Sequence, residues 1–596
     1  MPYSAKSAAK CLLLVMFLLL FSSSWNDSAT MDEMAHIPAG YSYLSQQDYR
    51  LNPEHPPLIK DLSAIPLLTL GLNFPTDVKA WTEDINGQWE MGKIFIYESG
   101  NDADKILRFS RFPIMLLAIL FGWLFFKWVR GLYGDKVALL ALFLFVFSPT
   151  FLAHSKYVTT DLGAAFGFFI GIAAFVNFLF KPNRKNLLIT GAAFGAAQLL
   201  KFSLVILAPL YLLLGVLWIF LKNYEEKFIW KKFLKEEIKI IGQIILIGLV
   251  GLAIIWAFYI PHVWNYPVEK QISDTNFTLN SFGIKPLANL TTWMAGIPVI
   301  RGLGQYFLGV LMVIQRAAGG NTAYFLGEVG GGGWPHYFPV LYLLKEHLAL
   351  HILTLIAIIF GIKNMLAVQE KNLKNITAWL KENFSLTASF IFIAIYWIQA
   401  ITSPLNIGVR HVLPTFPFIY LLVSRQVIRW LKDYSIETPM NFWEWLKEFY
   451  KFYMQPLKRG LLVFILLLWI FFSVIITFPH YLSYYNIAGG GAENGYKIAV
   501  DSNYDWGQDL KRLKIWASKN LRPDEKIAID YFGGGNPEYY FGEQYEAWWS
   551  DKGRPNRWFA LSLTFLQGAA ENDDYSWIKN KKPVARAGKS IFIYKF

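Results

Sequence analysis

The sequence predicts an α-helical polytopic membrane protein with about 11 transmembrane helices and a small C-terminal α/β domain outside the bilayer. Three observations carry this. Hydrophobic residues make up 54% of the 596 and charged residues only 17%, against about 25% charged in an average soluble domain. The apolar residues recur in runs close to the roughly 20 that span a bilayer. The excess of Lys and Arg, a formal net charge of +13, collects in the connectors on one side of those runs. A soluble chain of this length would need far more polar surface to cover its domains. The composition therefore excludes a soluble enzyme, a disordered chain and a collagen-like or coiled-coil fibre. Cys11 is the single cysteine, which excludes a disulfide framework and a cysteine-rich metal site.

The apolar runs lie at 8–24, 109–129, 137–152, 162–180, 187–201, 203–221, 240–260, 346–363, 385–401, 410–425 and 460–478. With the N-terminus inside, the inner segments are Lys127 to Lys136, Lys181 to Lys185, Lys222 to Lys239, Lys363 to Lys381 and Arg425 to Arg459. Together with Lys6 and Lys10 they hold about 25 Lys and Arg residues. The long outer segments are poor in them for their length. The basic balance is thus topological and not a nucleic-acid footprint. An odd number of crossings puts the C-terminus outside. The first run has a second reading as a cleavable signal peptide, because Lys6 and Lys10 precede a short apolar stretch, Leu12 to Phe21, and then small polar residues. Cleavage would free the segment that begins near Trp25 from its anchor.

Residues 1–478 form the membrane module, with outer loops at 25–108 and 261–345, and residues 479–596 form the outer domain. In the first loop, Pro57 to Leu72 is partly amphipathic and suited to the interface. The second loop is rich in glycine and aromatic residues. In the tail, Gln508 to Lys519 has helical spacing, while Lys526 to Tyr531, Trp558 to Leu563 and Ser590 to Tyr594 read as strands.

Acidic residues at the mouths of the runs are the first candidates for chemistry. Asp32 and Glu33 follow the first run. Asp161 opens the fourth, after Lys156 and Thr160. The plain alternatives are a solvated acidic pair and a helix N-cap. The topology places both sites on the outer face, which suggests one shared site. Cations come next. Asn52-Pro53-Glu54-His55-Pro56-Pro57, followed by Lys60, presents Glu54 and His55 on a backbone stiffened by proline. His154 and Lys156 end the third run, and Arg410 and His411 open the tenth. Headgroup contact or snorkelling would also explain such residues, least well for Arg410, which abuts an apolar helix where a charge is costly.

Other patterns fail on context. Ala587-Gly588-Lys589-Ser590 resembles the end of a phosphate-binding loop, but Pro583 stands where that loop needs its first glycine. Gly330 to Gly333 lack the strand and helix of a dinucleotide site. The Asn-x-Ser/Thr triplets, such as Asn276 to Thr278, are too common to be informative. Glu54 and His55 are of types that bind a divalent metal ion, but two ligands do not make a site.

Several stretches resemble a known family. Residues 31–60, from Met-Asp-Glu-Met-Ala-His-Ile-Pro-Ala-Gly-Tyr through Asn-Pro-Glu-His-Pro-Pro-Leu, resemble the first outer loop of the polyprenyl- and dolichyl-phosphate-sugar-dependent membrane glycosyltransferases. These include the protein O-mannosyltransferases (glycosyltransferase family 39) and the aminoarabinose transferases, which share the GT-C fold. Ser148-Pro149 to His154 with Thr160-Asp161 is similar to their second acidic motif. Gly333-Trp334, Tyr337-Phe338-Pro339, Leu405 to His411 and Asp501 to Asp509 are similar to stretches of the bacterial branch. Each piece is weak alone; the ordered set, spread over nearly the whole chain, is specific.

The resemblance implies a GT-C-like fold and a role for each motif. The first acid of the Asp-Glu pair is the family's general base, which falls on Asp32, with Glu33 beside it. Asp161 is the second acidic site residue. Some relatives carry Glu-Lys-Pro where this chain has Glu54-His55-Pro56, so His55 stands in for a phosphate-binding lysine, and histidine is only partly charged near neutral pH. His55, Lys60, Arg410, His411 and His154 are the expected contacts of the donor phosphate.

Physical reasoning is consistent with this. Outside the cytoplasm there is no nucleotide-sugar supply, so the donor arrives anchored in the bilayer as a sugar on a polyprenyl phosphate. A lipid phosphate leaves as a stable anion and does not need the protonation that a glycosidase supplies. One base and a few cations suffice, and direct displacement inverts the anomeric configuration. The expectation is an integral protein of a prokaryotic plasma membrane, acting on its extracytoplasmic face, with a protein, lipid or glycan acceptor. The alternative is a transporter or flippase of lipid-linked sugar, which would place ionisable residues near mid-membrane; here only Lys201, between two runs, interrupts the apolar span interiors.

Overall fold

A computed structural model of the chain describes residues 2–225, 229–366, 372–433, 441–568, 574–579 and 581–596. Among the described residues, eight helices are long and apolar enough to cross a membrane: Ala5–Ser24, Ala103–Tyr133, Thr160–Phe180, Phe202–Tyr224, Trp230–His262, Leu348–Leu366, Phe384–Thr402 and Phe442–Thr477. The remaining three expected runs fold as shorter pieces. The run 137–152 divides into Asp135–Val146 and Pro149–His154, because the Ser148 hydroxyl caps a new helix by accepting from the Phe151 N–H at 3.2 Å and Pro149 cannot continue the old one. The run 187–201 becomes Arg184–Gln198. The run 410–425 becomes a 3₁₀ stretch, Val409–Thr415, and the helix Phe416–Leu431.

These three still run between the same two ends of the molecule as the long helices. At one end Lys156 pairs with Asp27 at 2.7 Å, just after the first helix. At the other, Arg130 pairs with Asp135, and Arg459 donates to the carbonyls of Trp430 and Asp433 at 2.7 and 2.9 Å. The pieces at 135–154 and 416–431 are largely interior, as short apolar helices tend to be, whereas Arg184–Gln198 buries only one face and leaves Leu188 and Ile189 exposed. The helix Thr160–Phe180 lies at the centre of the packing. A side chain at Gly163, Gly167 or Gly171 would bring its Cβ within 2.9 Å of Ile59, 2.7 Å of Leu204 or 2.8 Å of Leu207. Small residues at this four-residue spacing let helices approach closely in a membrane, where packing replaces the hydrophobic effect as the driving force.

The first loop holds the helices Met31–Ser45 and Leu58–Ala64 and the 3₁₀ turn Ile65–Thr69. In the stretch expected to be amphipathic, Ile59 and Lys60 are buried while Ile65 and Leu68 are exposed. The second loop carries helices Val268–Thr278, Lys285–Ala295 and Arg301–Gly319, a hairpin of β1 (Ala323–Phe325) and β2 (Glu328–Gly330), and helix Tyr337–Lys345.

The tail forms a mixed sheet of β3 (Ile527–Asp530), β4 (Tyr545–Ala547), β5 (Trp558–Ser562), β6 (Ala585–Ala587) and β7 (Ile591–Lys595), in the order β4-β3-β5-β7-β6. β3 is parallel to β4 and β5, and β7 is antiparallel to β5 and β6. Helix Leu510–Asn520 packs on it through Leu510, Leu513 and Ala517. The two short strands β4 and β6 add to the expected three. The tail rests on both loops. Arg512 pairs with buried Asp27 at 2.6 Å, Tyr97 donates to the Gly534 carbonyl at 3.1 Å, and Phe325 of β1 bridges to Ala499.

Candidate active site

Asp32 and Glu33 lie in the first turn of Met31–Ser45, and Thr30 and Glu33 form a capping box. The Thr30 N–H donates to Glu33 at 2.9 Å. Glu33 is fully buried. Arg111 donates to it through Nε at 2.8 Å and Nη2 at 2.7 Å, and the Val158 N–H donates at 3.1 Å. Glu33 therefore anchors the start of the helix. Asp32, about 100° around the axis, keeps 27% of its side chain exposed.

Asp161 is in the first turn of Thr160–Phe180 and is buried. Lys201 Nζ lies 2.7 Å from its Oδ1, and Arg410 Nη1 lies 3.2 Å from its Oδ2. The same Arg410 nitrogen donates to Asp32 Oδ2 at 2.7 Å. The result is an alternating row, Lys201–Asp161–Arg410–Asp32, whose formal charges cancel. Both ends of the row reach solvent, Lys201 with 17% of its side chain exposed. The Arg410 guanidinium lies 4.2 Å from the ring centroid of Trp506, and its Nε has no hydrogen-bond partner. His154 and His411 are charge neighbours of Asp161. The Nδ1 of His154 is buried without a partner.

Asp501, from the tail, faces Arg410 and Asp32. Part of its side chain still meets solvent, but withdrawal from water beneath the docked tail pushes its carboxyl up to about 7, against the pull of Arg410.

Other expected site residues are held in different ways. Lys60 is fully buried, and its ammonium donates to Tyr43 Oη at 2.7 Å, Asn52 O and Oδ1 at 2.9 Å, and His55 O at 2.7 Å. These four acceptors outnumber its three protons, so it pins the Asn52–His55 turn and has no donor left over for a phosphate. Lys156 is buried against Asp27. His55 is half-buried, its ring edge-on to His36 at 5.0 Å. Burial first, then His36, Lys201 and Lys60, hold its imidazole well below the usual range, so near neutral pH it is uncharged and offers a phosphate no cation. The Glu54 carboxylate accepts from Gln88 Nε2 at 2.6 Å and Asn86 Nδ2 at 3.1 Å. Among the described residues no three His, Cys, Asp or Glu side chains converge as a metal site would require.

Residues 10–267 match the dolichyl-phosphate-mannose-protein mannosyltransferase family. Over this stretch, less than half of its length, the chain is similar to that family; it is a membrane glycosyltransferase that uses a lipid-phosphate sugar donor. The matched part of the transferase holds Asp32, Asp161 and Lys201, whereas Arg410, Asp501 and Trp506 lie beyond it. No curated protein matches the transferase in sequence.

Among solved structures it is similar to the apo oligosaccharyltransferase of Archaeoglobus fulgidus, with 13% identity over 96% of this chain and 72% of that one and a TM-score of 0.47. The Pmt1-Pmt2 protein O-mannosyltransferase complex of S. cerevisiae bound to its sugar donor gives 20% identity, 44% and 34% coverage and a TM-score of 0.33. ArnT from Cupriavidus metallidurans bound to undecaprenyl phosphate gives 11% identity, 98% and 97% coverage and a TM-score of 0.29. These likenesses are remote, and no residue role in the transferase rests on them.

Sequence reasoning had not placed Lys201, Asp501 or Trp506 in the site. Lys201 did leave a signal, as the lone cation between two apolar runs. The other two sit in the Asp501 to Asp509 stretch, whose spacing says nothing of what it faces.

Proposed function

We propose that the transferase, built on a GT-C-like plan, moves a single sugar from a polyprenyl-phosphate carrier to an acceptor hydroxyl on the extracytoplasmic face of a prokaryotic plasma membrane, with inversion at the anomeric carbon. The observation that carries this is the row Lys201–Asp161–Arg410–Asp32, in which two cations stand beside one carboxylate that is buried and one that is open.

Arg410 and Lys201 hold the donor phosphate, since an Arg fork and a Lys ammonium both suit phosphate oxygens. Asp161 keeps the two cations in place from behind. Asp32 accepts the acceptor's hydroxyl proton as the acceptor oxygen bonds to the anomeric carbon and the carbon–oxygen bond to phosphate breaks. The carrier leaves as its phosphate anion, stabilised by the same two cations. His154, His411 and neutral His55 line the surroundings and contribute hydrogen bonds rather than charge.

Mass spectrometry of lipids and outer glycans with and without the gene tests the reading. Loss of one sugar from one acceptor, with build-up of the loaded carrier, supports it. An unchanged glycan and lipid profile, together with no transfer by the purified protein from polyprenyl-phosphate sugars, overturns it.

A further inference from the structure

We infer that Trp506, supplied by the tail, is a positioning residue that sets both members of the Asp32–Arg410 pair; this rests on the phosphate-binding reading of Arg410 and makes the tail a structural part of the donor site. Trp506 is only 1% exposed and touches the two partners by different means. Its indole face lies against the Arg410 guanidinium, with 4.2 Å between guanidinium carbon and ring centroid. Its carbonyl accepts the Met31 N–H at 3.2 Å. Met31 is the first residue of the helix that carries Asp32, and the N–H groups of a first turn have no acceptor within their own helix. One tail residue thus fixes the cation through its ring and the carboxylate's helix through its backbone.

The surroundings of Trp506 leave it little freedom. Its own N–H donates to Gln508 Oε1 at 2.9 Å, and Gln508 Nε2 donates to the Tyr504 carbonyl at 2.9 Å, which closes the turn on itself. Gly507 follows at φ +95°, where a Cβ would lie 2.4 Å from the Gly533 Cα. Ser28, three residues before Met31, donates to the Gly507 carbonyl through its hydroxyl at 2.7 Å and to the Gln508 carbonyl through its N–H at 3.0 Å.

The same tail stretch grips the other side of Arg410. Asn503 Oδ1 accepts the Val409 N–H at 2.9 Å, and the Ser502 hydroxyl donates to the Ile407 carbonyl at 2.9 Å. Gly408 between them is required by this fit, since a Cβ there would lie 2.4 Å from Ser502 Oγ.

The chemistry favours an aromatic at this position. A guanidinium stacked on an indole keeps its N–H groups in the ring-parallel plane, free for carboxylates and phosphate along its edge, and is attracted by the π-face. An aliphatic residue of similar size fills the space but provides no such face, so the side chain regains rotamers that point the fork away from the site.

The test uses the full-length transferase in lipid nanodiscs, with undecaprenyl phosphate as probe. Trp506→Phe keeps a π-face and is expected to bind within about 3-fold of the parent, while Trp506→Leu weakens binding by about 5–30-fold. In an Arg410→Ala background, Trp506→Leu changes affinity by less than about 2-fold, because the residue it positions is gone. Equal loss in the Phe and Leu variants, or an undiminished Leu effect without Arg410, overturns the inference and leaves Trp506 as core packing. Unaltered binding in Arg410→Ala alone overturns instead the phosphate-binding reading on which the inference rests. If Trp506→Leu does not extract as folded protein, Trp506→Met, also without a π-face, takes its place in the same comparison.

Discussion

Arg410 Nη1 lies 2.7 Å from Asp32 Oδ2, although 378 residues separate them along the chain. The same nitrogen reaches Asp161, so one guanidinium is shared by the carboxylates of two helix starts. In the proposed reaction an arriving phosphate competes with Asp32 for this cation. As it wins, it loosens the ion pair and leaves the Asp32 carboxylate free to take a proton.

Asp32→Asn is therefore expected to lower turnover by about 10²–10⁴-fold, without loss of donor affinity. The amide keeps the shape but cannot accept the proton, and it no longer competes for Arg410. Turnover at saturating donor and the donor KM, measured together on purified protein, check both halves. A variant that retains most of its turnover removes Asp32 as the base.

Arg410→Ala is expected to raise the donor KM as well as lower kcat, because the cation holds phosphate both before and during transfer. Arg410→Lys restores little, since an ammonium cannot donate from one plane to two carboxylates while stacking on Trp506. Steady-state kinetics of the two variants separate charge from geometry; full recovery in the Lys variant contradicts the geometric role.

Lys201→Met leaves Asp161 with Arg410 as its one remaining ion-pair partner. The expected loss of stability is about 1–3 kcal/mol, less than for a fully buried pair because Lys201 still reaches solvent. Adding Asp161→Asn removes the under-compensated charge, so the double variant unfolds closer to the parent than Lys201→Met does. Chemical denaturation of the parent, both single variants and the double variant in detergent decides; additive losses reject the coupling.

Asp501 gives a pH signature. An unfolded carboxyl titrates near 3.8 and the folded Asp501 carboxyl near 7. The native state thus binds this proton more tightly, and rising pH between those values costs stability. Below about pH 4 both states are protonated and the cost vanishes. Asp501→Asn, which cannot ionise, is expected to gain stability relative to the parent as pH climbs from 4 to 7, and to hold that gain above 7. Unfolding midpoints across this range test it; a difference that does not change with pH contradicts the shift.

The common side of the two outer loops and the tail is open to labelling. Gln88 is buried and bonded to Glu54, so the exposed neighbour Glu90 is the better probe. On the inner side, Glu226 lies outside the described residues, and exposed Lys185 is the probe. With Cys11 replaced, single cysteines at Glu90 and Ala547 are expected to react with an impermeant reagent from outside and one at Lys185 not to. Reaction of the first two from opposite faces contradicts the arrangement.

Composition and periodicity alone determined that this chain is a helical membrane protein with its acids and cations at one face and a small α/β tail, because burying apolar helices in lipid leaves an unmistakable run length. They also marked Asp32, Asp161 and Arg410, since charges beside apolar runs are costly and stand out. Run length did not distinguish the long spanning helices from the shorter, largely interior helices near 135–154 and 416–431, because both kinds are apolar.

The division of the cations was decided only in three dimensions. Lys60 and Lys201 are each a single lysine beside apolar sequence, yet the acceptors of the 52–55 turn surround the first while Asp161 draws the second into the site. Trp506 reaches Arg410 only because the tail folds back onto the first loop. A stacking contact depends on where two distant surfaces meet, and the local order of residues carries no record of that.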